Sequence, residues 1–133
     1  MDIRKLKDRV AWLLRDDKKL NRLLGKEEFS ESDIIMAAEL TLDDVNESMP
    51  VQQLTLSELP TMVALYGAVY FLLTNAIAGK TRDAITVNTG EVAYRREENL
   101  QAYMQLAEMY GQKYHTYRDI YKNQINIASS FSV

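Results

Sequence analysis

The sequence predicts a mainly α fold, a small bundle of about four helices with a short β-hairpin ahead of a long C-terminal helix. Three features predict it. Apolar residues recur at helical spacing through the first half. A run without a single charge fills the middle, from Thr61 to Gly79. A tyrosine-rich helical repeat occupies the C-terminal third. The hairpin comes from two short alternating runs around Asn88-Thr89-Gly90.

The first helix is predicted from Asp2 to Leu14, with Ile3, Leu6, Val10, Leu13 and Leu14 on one stripe. Asp2 at its start suits the helix dipole. A further helical turn carries Leu20, Leu23 and Leu24 and stops at Gly25, a C-cap residue. The second helix begins at Ser30 or Ser32. Ser30 with Asp33 three positions on has the form of a capping box. Ile34, Ile35, Ala38, Leu42 and Val45 make its buried face, and Asn46 to Pro50 end it.

The third helix is predicted to start between Ser57 and Thr61, with Pro60 in its first turn, and to stop at Gly79. It is apolar on all sides, as a bilayer span or a fully surrounded core helix would be. Thr61, Tyr66, Gly67, Tyr70, Thr74 and Asn75 interrupt the run, and the amphipathic helices need a centre to pack on. We therefore read it as core; a single-pass span over 61–78 is the alternative.

The hairpin is predicted as Ala84–Val87 and Glu91–Tyr94, the glycine of its three-residue loop supplying a bulge. An isolated two-stranded hairpin is marginal in water. It should rest on its own domain or a neighbour. The fourth helix is predicted from Arg95 to Asn126, about 45 Å long. Leu100, Tyr103, Ala107, Tyr110, Tyr114, Tyr117 and Tyr121 follow steps of three and four, with Leu106, Ile120 and Ile127 beside that seam. Residues 1–126 thus read as one domain, and 127–133 as an extended tail.

Among 133 residues, 47% are hydrophobic and none is cysteine. A folded globule is expected, without disulfides or thiolate chemistry. The charged start MDIRKLKDRVAWLL lacks the apolar stretch of a secretory signal. The net charge of −3 hides a division. Residues 1–26 hold nine basic and four acidic residues, whereas residues 27–60 hold nine acidic and no basic ones. Such lobes suit contact between copies or, more plainly, two solvated faces of opposite sign. The copy-to-copy reading places Arg4, Lys7 and Arg15 against Glu39, Asp43 and Asp44, with Ile85 and Val87 of the hairpin on a neighbour.

No catalytic constellation is legible, and no cofactor or metal site is expected. His115 and Asp119 stand at i, i+4 without a third ligand. In the basic lobe, Asp2, Asp8, Asp16 and Asp17 interleave with the cations and no readout motif appears, so specific DNA binding is not expected. The tyrosines are the strongest feature, because a tyrosine buries a large ring and keeps a hydroxyl that seeks a partner. We expect Leu100 to Tyr110 to pack inside. Tyr114, Tyr117, Tyr121, Ile127, Phe131 and Val133 then form the arm that meets another protein.

The order of elements, with LTLDDVNESMP, LYGAVYFLL, TRDAITVNTGEVAYRREENLQAY and YMQLAEMYGQKY in sequence, resembles the head-to-tail adaptor proteins of tailed bacteriophages over Ser30 to Asn126. The resemblance implies a non-enzymatic virion protein. It would form a ring, commonly of twelve copies, in the neck after assembly and lie in the host cytoplasm before it. It would bind the portal through the C-terminal helix and tail, and a tail or stopper protein on its other side. DNA would be met only in passing through the lumen, and no membrane is involved. A small regulatory protein-binding module is the alternative.

Overall fold

The computed structural model describes the backbone of residues 2–14, 29–86 and 90–131, and side chains within 2–14, 29–79 and 100–128. Among these residues the chain is helical: α1 (Ile3–Leu14), α2 (Glu31–Glu47), a short 3₁₀ turn (Leu56–Glu58), α3 (Thr61–Thr86) and α4 (Gly90–Phe131). The leucine-rich turn predicted around Leu20 to Gly25 lies outside the described residues.

Each start has a local cause. The Asp2 carboxylate accepts from the Arg4 amide at 3.0 Å at the opening of α1. The capping box of α2 is present: Ser30 Oγ accepts from the Asp33 amide, and the Asp33 carboxylate from the Ser30 amide. Thr55 and Glu58 repeat the device at the 3₁₀ turn. There the Thr55 hydroxyl, then its amide, donate to the Glu58 carboxylate and hold its pKa below the ordinary range. Pro60 stands one residue ahead of α3, and its carbonyl accepts the first helical bond from Ala64 at 2.9 Å. A residue without an N–H loses nothing there.

α3 is the central element, packed against α1, α2 and α4. Val63, Ala64, Leu65, Ala68, Val69, Leu72 and Leu73 are buried, joined by Leu6 and Val10 of α1, Ile34, Ala37, Ala38 and Val45 of α2, and Tyr110 and Tyr114 of α4. By length and composition Thr61–Gly79 could cross a bilayer. Its coverage on three sides by the chain's own helices is the condition of a core helix. Burial stops at Leu73, and the described residues of α3 beyond it are half-buried or exposed.

α2 and α3 meet at one close approach. A Cβ on Gly67 would lie 2.7 Å from Thr41 Oγ1 and 3.0 Å from the Tyr114 ring. Thr41 is wholly buried and its hydroxyl already donates to the Ala37 carbonyl at 2.9 Å. It therefore has little freedom to withdraw.

The hairpin is not supported. Ala84 to Thr86 close α3, and Glu91 to Tyr94 belong to the first turns of α4. Val87, Asn88 and Thr89 lie outside the described residues. Two alternating residues per run are too weak a signal against long helices that can continue from both sides. Gly79 does not end α3, which runs to Thr86. α4 is likewise longer than expected, 42 residues or about 63 Å. The segment read as an extended tail is helical through Phe131; Ser132 and Val133 lie outside the described residues.

Candidate functional site

The two faces of α4 do different work. The inner face carries Tyr110, Tyr114, Arg118 and Lys122, spaced at successive turns. Tyr114 is completely buried. Its hydroxyl donates a short hydrogen bond to the Asp44 carboxylate on α2. Arg118 Nη1 donates to the same oxygen, Asp44 Oδ2, at 2.9 Å, and Arg118 Nε reaches Asp119 Oδ1 at 3.3 Å. One turn further, Lys122 is also buried. Its ammonium donates to the Pro50 carbonyl at 2.9 Å and to Gln52 Oε1 at 2.7 Å. Gln52 Nε2 in turn donates to the Tyr121 hydroxyl at 3.3 Å.

These bonds fasten α4 to the end of α2 and to the segment after it. Their electrostatics follow from burial. Burial, then the Asp44 carboxylate, push the Tyr114 phenol far above its ordinary pKa. Burial and the neighbouring Tyr66 raise Tyr110. For Arg118, burial acts downward, but the bonds and charge of Asp44 outweigh it and the pKa rises. For Lys122, burial and then Arg118 lower the pKa, against a smaller upward pull from Asp44.

Beside this clasp lies an aromatic cluster. Tyr66 stacks on Tyr117 with centroids 5.4 Å apart and tilts against Tyr110 at 6.0 Å. Lys113 Nζ sits 5.4 Å from the Tyr66 ring, in cation–π range. Tyr70 meets Tyr114 and His115 edge-on. His115 is thus an exposed residue leaning on Tyr70, and among the described residues no three His, Asp or Glu lie where they could share a cation.

The outer face of α4 carries Leu106, Met109, Ile120 and Ile127, all exposed, with Tyr117 at its margin. From Leu106 to Ile127 this line is about 31 Å long. Scattered exposed apolar side chains are ordinary, but a row along one helix marks a surface suited to protein contact.

The predicted docking arm is therefore corrected at its first residue. Tyr114 is the most enclosed residue of the set and serves the chain's own core. Tyr117 is partly exposed but stacked on Tyr66, and Tyr121 is half-buried and bonded to Gln52. Ile127 is 57% exposed and remains a surface residue. Phe131 is the last residue of α4, with its side chain outside the described set, as is Val133 altogether.

The residues predicted to join copies also divide. Arg4, Glu39 and Asp43 are exposed. Lys7 pairs within the chain to Glu31 at 3.5 Å, and Asp44 is engaged by Tyr114 and Arg118. Ile85 lies on α3 rather than in a strand, and Arg15 and Val87 fall outside the described residues.

No protein-family model, curated protein or solved structure matches this chain.

Sequence reasoning missed Arg118, Lys122 and Gln52 as structural partners. The signal for the first two is the Tyr110–Tyr114 line, which they continue one and two turns beyond Tyr114, although the sequence reading places the interior only as far as Tyr110. Gly67, in the midst of an apolar helix, was the sign of a close backbone approach.

Proposed function

We propose that this chain is a non-enzymatic assembly protein that works by presenting the outer face of α4 to another protein. The observation that supports it is the division of α4, whose inner face is fully employed by the core and the clasp while Leu106, Met109, Ile120 and Ile127 stay exposed along its length. The resemblance of Ser30 to Asn126 to head-to-tail adaptors gives this surface a place. In that reading the chain is a virion structural protein of a tailed-bacteriophage neck. It forms a ring between the portal and a tail or stopper protein, with DNA passing through the lumen. The portal-binding arm is then redefined as the outer line to Ile127 and the end of α4, without Tyr114.

Native mass spectrometry of the full chain, alone and with a purified portal protein, tests the reading. A ring or a stoichiometric portal complex is expected, weakened when Ile120 and Ile127 become Asp. A chain that neither self-assembles nor binds portal, and that instead retains a cellular protein through the same α4 face, is a regulatory docking module.

A further inference from the structure

Two other exposed rows lie away from α4, and they match each other. On α1, Leu6 and Val10 turn into the core while Lys5, Arg9 and Trp12, at i, i+4 and i+7, stand outside. Trp12 is 63% exposed. On α2, Met36 and Leu40 are exposed at 57% and 43%. Glu39, Asp43 and Glu47 border them at i, i+4 and i+8, a line of like charge that works against its own helix.

The other acids of α2 are occupied. Glu31 pairs with Lys7, Asp33 caps its own helix, and Asp44 holds Tyr114 and Arg118. Among the described residues no cation pairs with Glu39, Asp43 or Glu47, and the sequence has no Lys or Arg between Lys26 and Lys80. The exposed cations Lys5 and Arg9 of α1 form a row of opposite sign and equal spacing.

We propose that the outer face of α2 is covered by α1 of a second copy, running antiparallel, with Lys5 opposite Asp43, Arg9 opposite Glu39 and Trp12 on Met36. The register follows from spacing. Lys5 to Trp12 and Met36 to Asp43 cover equal lengths of helix, about 10 Å each. Only the antiparallel direction sets both cations on carboxylates and the indole on the thioether, a favourable sulfur–aromatic contact. In the parallel direction Lys5 would meet Met36, and Trp12 would meet Asp43. The face used on one copy differs from the face used on its neighbour, so the contact can repeat from copy to copy into a ring or a chain. The inference rests on the assembly reading and gives it a specific subunit contact, independent of the α4 surface.

Trp12 is the single tryptophan, so its emission reports on this contact directly. Sedimentation velocity and tryptophan fluorescence are recorded on the full chain over a concentration series at low and high salt. Association accompanied by a blue shift, both weakened by salt, is expected. The pair Lys5→Glu with Arg9→Glu, and separately Glu39→Lys with Asp43→Lys, each weaken association roughly tenfold or more with unchanged circular dichroism. Mixing the two variants one to one restores it, because the acidified α1 of one meets the basic α2 of the other, and their unaltered faces also match.

Association that the swaps leave untouched, or that mixing does not rescue, overturns this contact while leaving assembly intact. Assembly on portal with Trp12 emission unshifted does the same. A wild-type chain that stays monomeric with unshifted Trp12, alone and with portal, overturns both the contact and the assembly reading.

Discussion

The Tyr114 hydroxyl donates to the Asp44 carboxylate, joining the middle of α4 to the end of α2 across 70 positions of sequence. Arg118 shares the same carboxylate oxygen. Replacing Tyr114 by Phe keeps the ring and removes the bond. The expected loss is about 2 kcal/mol, the range for a hydrogen bond to a charged acceptor. Asp44→Ala should cost more, because it strands a buried phenol and a guanidinium together. Urea unfolding of both single variants and the double variant gives the coupling, and additive losses would refute it.

The pH dependence has a definite sign. Tyr114 and Tyr110 are held protonated in the fold above the ordinary tyrosine range. Their contribution is complete below the unfolded value of about 10 and is lost as pH rises past it, where the unfolded chain gives up protons that the fold retains. Lys122 acts oppositely. Its pKa is lowered, so between that lowered value and the ordinary lysine value of about 10.4, rising pH relieves a buried charge and adds stability. The urea midpoint should therefore fall steeply on the alkaline side of 10. Tyr114→Phe should flatten that fall, and the share of phenolate absorbance due to Tyr110 and Tyr114 should appear in step with unfolding.

Two glycines of α3 should answer alanine in opposite ways. At Gly67 the new methyl meets buried Thr41, and a loss of about 1–3 kcal/mol is expected from overpacking. At Gly79 nothing lies within 4 Å, so the helix gains up to about 1 kcal/mol from propensity alone. Thermal unfolding of the two variants side by side distinguishes them. A neutral Gly67→Ala would mean that α2 and α3 lie further apart than described.

Truncation after Tyr110 should abolish the fold rather than trim a docking arm. It removes Tyr114, Arg118 and Lys122, and with them the cover over the end of α2 and the bonds to Pro50 and Gln52. Loss of a cooperative unfolding transition is expected. Truncation after Asn126, by contrast, should leave the transition within about 0.5 kcal/mol, as surface changes do.

Much of this architecture is legible in the sequence. Ser30 and Asp33 declare the start of α2, and the spacing of Leu6 and Val10 declares the buried face of α1. The charge-free run of α3 identifies the central helix, since a small bundle of amphipathic helices has one place for it. What failed had a physical cause. Ile85, Val87, Val92 and Tyr94 alternate over too few residues to resist helices arriving from both sides. Periodicity places Tyr103, Tyr110, Tyr114, Tyr117 and Tyr121 on related turns, yet it cannot say whether the covering surface belongs to the same chain. The sequence reading places Tyr114 on the outward arm, whereas its cover is Asp44 and Gly67, remote in sequence and near in space. Arg118 and Lys122 escaped because a cation on a helix usually points to water, and only the acceptors on Asp44, Pro50 and Gln52 make burial tolerable.

Both prolines of the chain, Pro50 and Pro60, lie between α2 and α3, and α4 contains none. α4 thus runs from Gly90 to Phe131 without a proline, gripped at Tyr114, Arg118 and Lys122, with Ile127 exposed beyond those grips. A load applied near Ile127 has no proline kink in which to dissipate. It travels along the helix to Lys122 and pulls first on Pro50 and Gln52, ahead of the apolar core. The segment joining α2 to α3 would then act as a strain gauge, the earliest part of the chain to register tension on that end of the helix.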